Sequence, residues 1–205
     1  MAGPFVKGFF TTASLIGGIG IQNIFVIKQG LTKSYISTVI LMCWLIDVLL
    51  ITLGVNGIGK LVISAPKLLN IIKNAGAIFL FSYGIKAFYS SYKNDQVIDL
   101  NHRDTKTSML FVVINLLSVS FLNPHTYLDT MVLIGSVGAH FQKLERLLFI
   151  SGAALASLSW FTILCYGARY LAPYFEKKNT WRIFNFFIGC MMFTIAISLL
   201  HIHYN

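Results

Sequence analysis

The sequence predicts an all-α integral membrane protein of about six transmembrane helices. They should form two inverted three-helix repeats with broken helices near Gly20 and Pro124. Three observations carry this expectation. Of 205 residues, 56% are apolar and only 11% are charged, against roughly 25% charged in a soluble domain, so a globule of this composition could not solvate its own surface. The apolar residues fall in runs of about the 20 residues that span a bilayer. Two of those runs are interrupted by helix breakers beside polar residues. The same figures exclude a disordered chain. Three Cys, each inside an apolar run, exclude a disulfide-stapled secreted module.

The first span is placed at residues 5–27. Gly17, Gly18 and Gly20 precede Gln22 and Asn23, which weakens this helix in its middle. The run is long, carries two amides and lacks a small-residue cleavage site, so it reads as a span rather than a signal peptide. Residues 35–55 and 69–89 form the second and third spans, and the polar stretch 90–106 is a connecting loop. From 108 the chain stays apolar to 121 and onward to 140, but Asn123-Pro124 interrupts it. Proline removes a backbone donor and disfavours helix in the residue before it. The expectation is a helix, a break, and a second, re-entrant piece. Residues 147–171 and 183–201 complete the set. Residues 1–205 thus make one membrane domain, with repeat halves at about 1–92 and 105–205. A faint internal likeness supports the halves: Ile19-Gly20-Ile21-Gln22-Asn23 and Leu122-Asn123-Pro124-His125-Thr126 each set a helix-weakening pair before polar residues.

Six spans place Lys7, Lys60, Lys67, Lys73, Lys143 and Arg146 on one side. The larger set, Lys28, Lys33, Lys86, Lys93, Arg103, Lys106, Arg169, Lys177, Lys178 and Arg182, lies on the other. The larger set marks the cytoplasmic side. The net charge of +9 is then topology signal and contact with the lipid bilayer, not a nucleic-acid patch.

Two carboxylates lie within spans. Asp47 sits in Cys43-Trp44-Leu45-Ile46-Asp47-Val48, where an Asp costs on the order of 3 kcal/mol even on the most forgiving insertion scale. It must face protein or a water-filled cavity. It is a cation or proton site, or else a structural carboxylate bonded to a neighbouring helix. Asp129 follows the Asn123-Pro124 break, where freed carbonyls and helix ends bind ions and substrates in transporters. Its alternative is an ion pair to a loop Lys. Gln22 and Asn23 point about 100° apart on a helix, and at a break both reach one cavity; interhelical bonding is the alternative. Trp160 lies mid-span, away from the interfaces Trp prefers. It is either packing or an aromatic wall for a cation. The five His and three Cys show no metal-ligand spacing, and no nucleophile elbow, P-loop or dinucleotide fingerprint is present. No metal, no cofactor and no enzyme activity are expected.

These stretches together resemble the LysE-type translocators, in particular their lysine/arginine exporter branch. Gly20-Ile21-Gln22-Asn23 through Lys28-Gln29-Gly30 is similar to the family's first-helix signature. Ile46-Asp47, Leu122-Asn123-Pro124-His125-Thr126-Tyr127-Leu128-Asp129-Thr130, Ser157-Leu158-Ser159-Trp160-Phe161, and Arg182 to Asn185 with Gly189-Cys190 fit the same branch. The family usually has Pro between the Gly and the Gln, where this chain has Ile21. The resemblance implies export of L-arginine and L-lysine from the cytoplasm across the bacterial inner membrane, driven by entering protons. Asp47 and Asp129 would alternate between proton and cationic side chain. Gln22, Asn23 and Asn123 would bind the amino acid's main-chain groups, and Tyr127 and Trp160 would shape the pocket. The alternatives are a non-transporting membrane subunit or sensor, or an exporter of another small cation. Gly57, Gly76, Gly84 and Gly189 allow close helix contacts within one chain or in a homo-oligomer.

Overall fold

The computed structural model describes residues 2–17, 20–59, 65–93, 108–175 and 178–201. Gly18 and most of the 90–106 loop lie outside these residues. Among the described residues the chain is entirely helical. Helix α1 spans Ala2–Ile16, α2 Ile21–Leu31, α3 Ile36–Val55 and α4 Pro66–Lys93. Helix α5 spans Met109–Phe121, α6 Pro124–Ala139, α7 Lys143–Leu171 and α8 Lys178–His201.

Two pairs are sharply bent. Helices α1 and α2 meet at 83°, and α5 and α6 at 66°. The two breaks are built alike. Gly20 is extended (φ −111°, ψ 164°) and N-caps α2, whose first residue is Ile21. Asn123 is extended (φ −101°, ψ 107°) and N-caps α6, whose first residue is Pro124; its side chain accepts from the His125 amide at 3.2 Å. Proline suits this position because the first helical N–H has no intrahelical acceptor. The first bend forms with Ile21 in that place.

Helices α3, α7 and α8 are each long and apolar enough to cross a bilayer alone, and each bent pair makes one further candidate span. Helix α4 covers the expected third span. At 28 residues it is about 42 Å long, ample for a crossing, yet its Lys-bearing sequence is less apolar than the others. The element order is therefore bent pair, helix, helix, twice over.

Packing exchanges elements between the two halves. Along α2 and α7 the contacts rise together: Trp160 bonds Asn23, Cys165 lies 3.9 Å from the Val26 carbonyl, and a Cβ at Gly30 would lie 2.8 Å from Ala168. Helices α3 and α6 also run alongside one another, with Gly54 against both Met131 and Gly135, and Val55 against Gly138. Helices α4 and α8 pair antiparallel, Gly84 meeting Met192 and Phe193, and Gly189 meeting Phe88. The largest shared core is built from α2, α3, α4, α5, α7 and α8, with Val26, Val39, Leu80, Leu116, Phe161 and Met192 all nearly inaccessible.

Small residues set these distances. A Cβ on Gly152 of α7 would run into the Phe5 carbonyl and lie 3.1 Å from the Phe9 nitrogen of α1, and one on Gly8 would meet the Phe149 carbonyl. Gly30 sits inside the α2–α7 contact and does not cap α2, whose C-cap is Thr32. Gly76, Gly84 and Gly189 make contacts within the chain, whereas Gly57 (φ +94°) occupies a turn with nothing near it.

Two outcomes follow for the detergent-solubilised protein. Gly152→Val should lose stability at the upper end of the roughly 1–3 kcal/mol that overpacking costs. Gly167→Ala, beside which nothing lies within 4 Å, should be neutral or slightly stabilising. Thermal melting followed by circular dichroism separates the two. Ile21→Pro should keep the α1–α2 bend, because Gly20 already has the extended backbone that precedes proline; a drop in helix content would show that it does not.

Candidate functional site

The two breaks and the middle of α3 converge on one cavity of about 370 Å³. Gly20, Ile21, Gln22 and Asn23 line it from the first break, and Asn123, His125 and Thr126 from the second. Asp47 enters from α3, Asp129 and Thr130 from α6, Phe161 from α7, and Thr194 and Ser198 from α8. Both helix N-termini produced by the breaks therefore open onto the same space. Their first-turn amides and positive dipole ends favour a negative group there.

Asp47 is 3% exposed. Its Oδ2 accepts a 2.7 Å hydrogen bond from the Ser157 hydroxyl of α7. One turn earlier, Trp44 Nε1 donates to the Ala154 carbonyl at 3.0 Å. These two bonds fix α3 against α7 and hold the carboxylate in one orientation.

Asp129 lies in different surroundings. Residues Tyr127–Ile134 of α6 are wound as a π-helix, a form that concentrates at functional sites because it widens the turn and re-aims side chains. Asp129 is half-buried. It makes no hydrogen bond or ion pair with another described residue, and His125 lines the same cavity. Thr130, buried beside it, bonds back to the Thr126 carbonyl at 2.5 Å.

Asn23 is oriented from two sides. Its Nδ2 donates to the Ile16 carbonyl across the first break at 3.0 Å, and its Oδ1 accepts from Trp160 Nε1 at 3.2 Å. The Gln22 Nε2 is buried at the cavity wall near Cys43, with no oxygen or nitrogen partner among the described residues.

Five residues singled out from sequence thus share the cavity: Gln22, Asn23, Asp47, Asn123 and Asp129. Tyr127 and Trp160 do not line it. The Tyr127 hydroxyl donates to the Phe121 carbonyl at 2.8 Å, satisfying an acceptor freed by the second break, and its ring packs with Ile46, Leu50 and Met131. Trp160 stands behind Asn23 and beside Gly17. Both stand behind the cavity wall rather than in it. Sequence reasoning missed His125, Thr126, Thr130, Ser157, Thr194 and Ser198. The Thr194/Ser198 pair carried a readable signal, since i, i+4 polar residues share one face of an apolar helix. Among the described residues no group of three or more His, Cys, Asp or Glu is placed to hold a metal ion.

A bilayer-spanning helical chain with two broken helices around a carboxylate-bearing cavity has the architecture of a secondary transporter. Residues 13–202 match the LysE type translocator family, and the chain belongs to it. It is a multi-pass membrane protein of a family of exporters, not of enzymes. Among curated proteins it is 36% identical over 199 residues to the arginine exporter protein ArgO of Serratia proteamaculans, covering 97% of each chain. It is 35% identical to the arginine exporter protein ArgO of Pectobacterium carotovorum subsp. carotovorum, again over 97% of each. The protein of the same name from Pectobacterium atrosepticum is 35% identical, over 95% of each. No solved structure matches the chain.

Ser157 is expected to stabilise the protein through Asp47 rather than by packing. In a double-mutant cycle of Ser157→Ala and Asp47→Asn, thermal melting should give a coupling of about 0.5–3 kcal/mol. A coupling of zero would mean that the bond contributes nothing.

Proposed function

We propose that the protein exports basic L-amino acids, arginine foremost and lysine as the second substrate, from the bacterial cytoplasm across the inner membrane in exchange for protons. One observation supports this reading above the rest: two carboxylates on different helices, Asp47 and Asp129, share a cavity with two helix N-termini. An amino acid with a cationic side chain has matching chemistry, a diffuse positive charge at one end and an α-carboxylate at the other. The volume, near the lower bound of the roughly 300–1,000 Å³ usual for small-molecule pockets, suits a single amino acid rather than a peptide. The names borne by the relatives point to the same substrate.

In this mechanism the guanidinium or ammonium group lies between Asp47 and Asp129. The α-carboxylate lies at the N-termini of α2 and α6, where Asn23, Asn123 and the Gln22 amide supply side-chain hydrogen bonds. A proton arriving from outside neutralises a carboxylate and removes most of its attraction for the cation. Tyr127 and Trp160 act by holding the second break and Asn23. Alternating access is a relative movement of two inverted halves, about 1–92 and 105–205. The repeated order of bent pair, helix, helix supports these halves, as do the reciprocal α2–α7 and α3–α6 contacts.

The test is efflux from cells lacking their own basic amino-acid exporters and fed arginyl or lysyl dipeptides. The protein should accelerate the appearance of arginine outside, and collapse of the proton gradient should abolish the acceleration. Asp47→Asn and Asp129→Asn should each reduce efflux to background while the protein remains in the membrane. Wild-type efflux by both variants would overturn the assignment.

A further inference from the structure

A second cavity, of about 220 Å³, lies away from the first between the C-terminal ends of α2 and α4 and the N-terminal ends of α5 and α8. It is cationic. Lys28 and Lys86 line it, and no Asp or Glu is among its described lining residues. Each ammonium is held over a ring: Lys28 Nζ lies 5.5 Å from the centre of Tyr83 and Lys86 Nζ 5.2 Å from that of Phe111. The rings orient the charges without cancelling them. Two further polar atoms on the lining are unsatisfied. Trp181 is 4% exposed and Gln29 9% exposed, and Trp181 Nε1 and Gln29 Oε1 are buried without a hydrogen-bond partner among the described residues. Buried polar atoms without partners are uncommon in folded proteins and call for a ligand or water.

We propose that this cavity binds the headgroup of an anionic phospholipid, with the phosphate between Lys28 and Lys86. The Trp181 indole N–H donates to a phosphate oxygen, and Gln29 Oε1 accepts from a hydroxyl further along the headgroup. Three features select a lipid over a free anion. Ile85 on α4 and Leu110 and Ile114 on α5, each next in sequence to a lining residue, are exposed and offer an apolar surface on which acyl chains rest. Both lysines belong to the end of the bundle richer in Lys and Arg, and basic pockets between helices on the cytoplasmic side are where acidic headgroups bind. The cavity, of about 220 Å³, has room for a glycerophosphate and not merely a bare phosphate. This site serves neither carboxylate of the first cavity and is independent of the transported substrate.

The test uses the full-length protein purified in a neutral detergent. Phosphatidylglycerol should raise the melting temperature saturably and remain attached in native mass spectrometry, while phosphatidylcholine should do neither. Lys28→Gln with Lys86→Gln should weaken phosphatidylglycerol binding at least tenfold, and Lys28→Arg with Lys86→Arg should retain it. The arginine variant shows that the lysine positions tolerate substitution. Should the glutamine pair fail to fold, Trp181→Phe, which removes the N–H donor while keeping an aromatic ring, should weaken binding severalfold. Inorganic phosphate at millimolar concentration should leave the melting temperature unchanged. Equal stabilisation by phosphate would overturn the lipid in favour of a small-anion site. Equal binding of phosphatidylglycerol by wild type and charge-removed protein would overturn the site itself.

Discussion

A bilayer has no water to satisfy a broken backbone, so every break within a span must be covered by protein or open onto an aqueous cavity. The two breaks in this chain meet that constraint in both ways at once. On the covered side, the Tyr127 hydroxyl takes the Phe121 carbonyl, Asn23 takes the Ile16 carbonyl, and Asn123 caps its own helix. On the open side, the N-terminal turns of α2 and α6 face a single cavity. The glycine contacts follow from the same need. Helices can shield a break only when their backbones come close, and Gly54 against Gly135 and Met131 brings α3 onto the far side of the second break. The long helices are thus lids over the breaks as much as spans.

The polar groups inside the bundle divide by duty. Ser157, Trp160, Trp44 and Tyr127 spend their donors on fixed acceptors and hold the architecture. Gln22 and Asp129 keep unbonded groups at the cavity. Half-satisfied polar networks are costly in a low-dielectric interior. At this cavity, open groups set beside fully bonded ones are the arrangement expected of a site that completes its bonding with a ligand.

Much of this was legible in the sequence, and the reason differs by element. The Asn123-Pro124 break was readable because proline leaves a helix few options. Asp47 and Asp129 were readable because a carboxylate in an apolar run has a known cost. What periodicity could not supply was the face each residue takes after a break. The π-helical winding from Tyr127 to Ile134 has no propensity signature, and it decides that Asp129 and Thr130 face the cavity while Tyr127 turns toward Ile46 and Leu50. Trp160 was readable as an unusual residue, but its partner Asn23, 137 positions away in the chain, was not. Ser157 falls within a family-like stretch of the sequence but takes no role there, because a small hydroxyl in a helix usually bonds its own preceding turn, as Thr162 does here, and only the assembled bundle puts Asp47 within its reach.

The two carboxylates differ in a way that bears on how such a site would empty. Asp47 is buried on α3, a straight 20-residue helix, and is tied to α7 by Ser157. Asp129 is half-buried, lacks a bonded partner among the described residues, and sits on α6, one arm of a pair bent by 66°. Under the proposed function, a cation between them joins a fixed helix to a bent one by Coulomb attraction. That attraction grows as water is excluded, from about 1 kcal/mol per contact in bulk water to about 4 kcal/mol at the dielectric of a partly buried pair. Loading would then add to the packing that already holds α6 on α3, and neutralising either carboxylate would remove that addition. The coupling between proton and substrate needs no long-range relay in this scheme, because the group that senses the proton is one of the two that hold the cargo.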